Sequence, residues 1–123
     1  MPRMFLLAGA LAGFVGVAFG AFGAHGLRGR LSPEMLAVFE TGVRYQMYHA
    51  LALMLTAALM MTGRIESGRA AAAAGWLFVA GIVLFSGSFY LLAVTGITVL
   101  GAITPIGGVA FLLGWACLAI ATL

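Results

Sequence analysis

The chain has 123 residues, 64% of them hydrophobic and only 7% charged, with 18 glycines and a formal net charge of +3. A water-soluble domain carries about 25% charged residues, so this composition excludes a water-facing globule; it leaves room for roughly four spans of about 20 residues and for no separate soluble domain. Lysine, aspartate and asparagine are absent, which excludes a phosphate-loop lysine, a phosphorylatable aspartate and an aspartate proton relay. The arginines stand at helix ends, as headgroup anchors do, and form no basic stripe for nucleic acid.

The first predicted helix covers residues 4–25. Arg3, the apolar run and the small residues near its end have the outline of a signal peptide. The run is long enough to span, however, and reads as an uncleaved helix. Gly9, Gly13, Gly16, Gly20 and Gly23 recur at spacings of four, three, four and three, which puts them in one line on a helix face. Each glycine costs about 1 kcal/mol against alanine in an aqueous helix. In a bilayer, a line without side chains lets another helix approach closely, so these five are expected to be helix-packing positions. Phe5, Phe14, Phe19 and Phe22 lie off the line, free to face lipid or fill gaps. Gly26 is expected to close the helix as a C-terminal glycine.

Ser32, Pro33 and Glu34 form a start signal: an N-cap, a first-turn proline and an acid at the positive helix end. Met35, Leu36, Phe39 and Val43 then recur at helical spacing, predicting a short amphipathic segment over 33–41 before a span over 43–61. Glu40 and Arg44 are placed for an i,i+4 ion pair. Residues 62–69 form the one plainly polar loop. A third span is predicted over 70–94. Residues 95–103 are apolar and read either as a connection that dips into the interface or as part of a broken fourth helix. Thr104-Pro105 repeats the cap-then-proline signal, and the fourth span runs over 105–122. The expected fold is an all-α, integral membrane four-helix antiparallel bundle forming a single domain, in the cell (inner) membrane if the source is bacterial.

In that arrangement Arg3, Arg64 and Arg69 share one side with the termini, and Arg28, Arg30 and Arg44 share the other. Three against three gives the positive-inside rule no purchase on orientation. Aromatic residues are expected in two interface belts, with Tyr45, Tyr48 and Tyr90 toward the first loop and Trp76 and Trp115 toward the termini.

Polar side chains gather in one leaflet. His25 ends the first helix, and Gln46 and His49 open the spanning part of the second. Ser86, Ser88 and Tyr90 lie late in the third, and Thr104 starts the fourth. A polar group inside a membrane costs free energy unless it finds a partner, so these seven are expected to form a shared hydrogen-bonded cluster and a candidate binding site. The segments Gly20–Leu27, Phe39–Leu53, Gly81–Leu92 and Ile103–Gly108 resemble, in order, motifs of the YgdD/YwdK-like small membrane proteins. That family is catalogued as domain of unknown function 423 and includes the eukaryotic transmembrane protein 256. The resemblance spans essentially the whole chain and implies a four-helix integral membrane protein with no established activity.

Sharper chemistry competes with packing for the same residues. His25 and His49 could ligate haem or a metal between helices, but they lack a carboxylate or cysteine partner. Ser86 and Ser88 with His49 lack the glycine elbow and orienting acid of a hydrolase. Met47, Met54, Met60 and Met61 read as core or lipid-facing filler before a copper path. Transport would need an oligomer, because four helices without a buried acid supply no ion relay. The expectation is a non-catalytic binding, assembly or membrane-organising component without cofactor. Its expected partners are membrane lipids and a second copy or another membrane protein, with no nucleic acid. The alternatives are a transporter or channel subunit and a haem- or metal-binding protein.

Overall fold

The computed structural model describes residues 1–123 and is all-α, without strands. Helix α1 covers Pro2–His25 and α2 covers Pro33–Met61. Helix α3 covers Arg69–Thr95, a 3-10 turn covers Thr98–Ala102, and α4 covers Thr104–Ala121. Helices α1, α3 and α4 are long and apolar enough to cross a membrane, the last counted with its preceding turn. Helix α2 is longer, at 29 residues, but Arg44, Tyr45, Gln46 and His49 lower its hydropathy. At 1.5 Å per residue it is about 43 Å long, more than the roughly 30 Å of a hydrocarbon core.

That start is built as its residues dictate. Ser32 Oγ accepts the Met35 N–H at 3.2 Å, Pro33 occupies the first turn, and Glu34 follows it. Gly26 caps α1 as expected, in a right-handed conformation (φ −88°), and the positive φ comes at Gly29 (84°). One local expectation changes. Arg44 donates to Thr41 Oγ1 at 3.1 Å, a nearer acceptor than the Glu40 carboxylate. Residues 95–103 are an exposed connection: Gly96 ends α3 in the left-handed region (φ 71°), and the 3-10 turn leads into α4.

Helix α1 lies along α2, and α3 lies along α4, with α2 also packed on α3. Four of the five glycines of α1 receive α2. A Cβ on Gly9 would strike Met54 and the Ala50 carbonyl, one on Gly16 would strike Met47, one on Gly20 would touch Val43, and one on Gly23 would press on the Phe39 ring. Gly13 is the exception, because nothing lies within 4 Å of its Cβ position. Rings in glycine notches close the other joints. Phe5 of α1 lies on Gly75, Phe111 on Gly81, and Phe78 on Gly114. The main apolar core, around Phe5, Leu53, Phe78 and Phe111, fills the half nearer the termini. A smaller one, Leu27, Phe39 and Ala93, closes the half nearer the first loop.

Helix α3 is not uniform. Between its α-helical parts Arg69–Gly81 and Gly87–Thr95, residues Ile82–Ser86 form a π-helical turn. Here the Phe85 backbone meets Gly107 of α4 so closely that a Cβ at 107 would overlap it. A π-turn inserts an extra residue into an α-helix, and such turns are frequent at functional sites.

Candidate functional site

Gln46 ties three helices together. Its Nε2 donates to the Ala12 carbonyl of α1 at 2.7 Å, and its Oε1 accepts the Tyr90 hydroxyl of α3 at 2.5 Å. The first bond depends on a glycine. Residue 16 is one turn beyond Ala12 and carries no side chain to cover that carbonyl. Tyr90 is held by its ring, edge-on to Phe19 at 4.9 Å and tilted on Phe39 at 5.0 Å. Its hydroxyl therefore points into the bundle instead of joining an interface belt.

Ser86, the last residue of the π-turn, donates to the Gly42 carbonyl of α2 at 2.7 Å. Ser88 donates to the Phe85 carbonyl at 2.9 Å and shares a 2.6 Å contact with the Thr104 hydroxyl of α4. His49 lies deeper. Its Nδ1 is 2.7 Å from the Tyr45 carbonyl, and its Nε2 is 3.1 Å from Trp115 Nε1. A carbonyl only accepts and an indole N–H only donates, so this pairing requires the neutral Nδ1–H tautomer. The imidazole is stacked on Phe111 with centroids 3.6 Å apart and planes at 10°.

Six of the seven expected site residues are thus buried or half-buried and bonded. They form neighbouring small sets, not one continuous cluster. The seventh, His25, is exposed at the end of α1. Gly9 faces Leu53, Gly16 faces Gln46 and Gly23 faces Phe39, a register that places His49 level with Gly13. The two histidines are therefore twelve residues apart along the pair (25 − 13), about 18 Å at 1.5 Å per residue. Imidazoles that far apart do not ligate one metal or haem iron together. Trp115 is the residue that sequence reasoning missed. Expected in an interface belt, it is exposed and also supplies the donor for His49. Thr56, buried in the other half, was also missed; it bonds the Ala52 carbonyl at 2.8 Å.

No buried side-chain nitrogen or oxygen lacks a hydrogen-bond partner. The most open space beside the bundle is mainly apolar. Helices α1 and α3 meet at their starts, where Phe5 packs edge-on against Trp76. Nearer the first loop a lateral groove of about 620 Å³ opens between them. Phe19 and Phe22 form one wall, and Val83, Gly87, Leu91 and Val94 form the other, with Phe39 and Tyr90 behind.

The stretch that carries the Gln46, Ser86, Ser88 and Thr104 side chains also carries a family signature. Residues 19–108 match the model described as Protein of unknown function (DUF423). The chain belongs to this family. Among DUF423 relatives, it is 48% identical over 119 residues to the UPF0382 membrane protein YwdK of Bacillus subtilis, covering 97% of this chain and 95% of that one. A UPF0382 membrane protein of Staphylococcus aureus is 50% identical over 120 residues, covering 98% and 95%. One from Staphylococcus epidermidis is 49% identical over 121 residues, covering 98% and 96%. No solved structure matches. With three membrane-length apolar helices, the chain is a multi-pass integral membrane protein, as the motif resemblance implied.

Proposed function

We propose that this DUF423 protein spans the bilayer four times and acts without catalysis, as a binding and membrane-organising component whose working surface is the lateral groove. One observation carries the reading: every buried polar side-chain atom is already bonded within the bundle. A general base, a nucleophile or an ion relay needs a polar group with capacity left for substrate. Here the hydroxyls of Ser86, Ser88 and Tyr90 and the imidazole of His49 are occupied in joining helices. The groove, by contrast, offers apolar surface to whatever lies beside the bundle.

Reconstitution into sealed vesicles tests this. Ion and small-solute efflux should match that of protein-free vesicles. Protein-dependent flux that Gln46→Ala abolishes while helix content is retained would favour a transporter or channel subunit and overturn the reading.

A further inference from the structure

The groove has the dimensions of a lipid chain site. Its α3 wall runs from Val83 to Val94, eleven residue steps or about 16 Å at 1.5 Å per residue, close to half of a roughly 30 Å hydrocarbon core. It therefore lies within one leaflet. Its volume of about 620 Å³ falls in the range of small-molecule sites, about 300–1,000 Å³. Gly87 sets back one wall, because nothing lies within 4 Å of its Cβ position. Nothing in its backbone explains that glycine, whose φ is an ordinary helical −59°.

The connection that follows the Phe22 wall of the groove carries positive charge. Phe22, a wall residue, lies against Gly26, two residues before Arg28. Leu27 is buried on Phe39, which lines the groove. The exposed Arg28 and Arg30 follow directly, with no acid between them. Of the acids on this side, Glu34 sits in the first turn of α2. Glu40 and Arg44 border a separate cleft at Gly20.

We propose that the groove holds one acyl chain of an anionic phospholipid from the adjacent leaflet, with its phosphate at Arg28 and Arg30. The proposal rests on the non-catalytic reading above and names that component's ligand. A lipid satisfies both halves of the site, because hydrocarbon fills the apolar wall and the phosphate lies at headgroup level, where the arginines are.

Native mass spectrometry of the full chain, released from mild detergent after incubation with phosphatidylglycerol or phosphatidylcholine, tests it. The expected result is one retained phosphatidylglycerol per chain, held more tightly than phosphatidylcholine. Arg28→Ala and Arg30→Ala should each weaken that preference about five-fold, equivalent to about 1 kcal/mol for a basic residue near an anionic surface. Gly87→Leu should abolish retention of both lipids while the helical signal and melting temperature hold or rise, since leucine has open space there and a better helix propensity. Three results would overturn the proposal: no retained lipid, retention unchanged in Gly87→Leu, or a lipid-free dimer that Gly87→Leu converts to monomer. The last would assign the groove to a second copy. Vesicle flux is read separately, so loss of the lipid site leaves the non-catalytic reading standing, and flux would remove that reading without touching the mass measurement.

Discussion

At the level of single residues, Gln46 and His25 separate what the polar side chains do. Gln46 bridges α1 and α3 from α2, and its replacement by leucine leaves the Tyr90 hydroxyl buried without an acceptor. Interhelical hydrogen bonds in membranes average about 0.6 kcal/mol and reach about 1.7, and an orphaned buried donor adds to the loss. Gln46→Leu should therefore destabilise the bundle by about 1–2 kcal/mol in a reversible unfolding titration in mixed micelles. His25→Ala removes an exposed side chain and should stay within about 0.5 kcal/mol of the parent. Sequence reasoning placed Gln46 and Tyr90 in the same half of the bilayer because depth can be counted from the loops. It placed His25 with them for the same reason. Depth gives no direction around the helix axis at a terminus, and there the chain turns away. The Trp115 bond to His49 was not legible, because an indole N–H serves an interface as readily as a buried acceptor.

Between elements, glycine decides how close the axes come. The line in α1 was legible from spacing alone, and α2 does lie along it, but spacing did not distinguish Gly13 from its neighbours. A Cβ at Gly13 meets nothing, whereas one at Gly107 meets the Phe85 backbone. Gly13→Ala should accordingly raise stability by up to about 1 kcal/mol through helix propensity. Gly107→Ala should lower it by about 1–3 kcal/mol, because a backbone cannot step aside as a side chain does. Parallel unfolding titrations of the two variants check the difference in sign. The notches at Gly75, Gly81 and Gly114 were not legible, since each depends on a phenylalanine from a different helix. Nor was the π-turn: the residues Ile82–Ser86 have ordinary helical composition, and the extra residue there accommodates the Phe85–Gly107 contact and the Ser86 bond to Gly42.

For the molecule as a whole, the four-pass arrangement we propose puts the termini and the 62–68 loop on one face of the membrane, and the 26–32 and 96–103 connections on the other. In a Cys117→Ala background, Ser67→Cys and Gly29→Cys should react with a membrane-impermeant maleimide from opposite sides of oriented vesicles. Labelling of both from one side would refute the four-pass arrangement. Composition and run lengths made the helical membrane bundle legible; they could not show how α2 packs within it. That helix falls short of the apolarity of the others, yet it supplies Gln46, His49 and the Gly42 carbonyl to its neighbours and buries ten residues among them. The segment least suited to hydrocarbon is the one most enclosed by protein. During synthesis it therefore gains little by partitioning into lipid alone, and the Ala12 carbonyl that receives Gln46 is already displayed on α1 when α2 emerges. In the proposed four-pass arrangement, α1 and α2 are expected to enter as a helical hairpin, with α1 carrying its less greasy successor across.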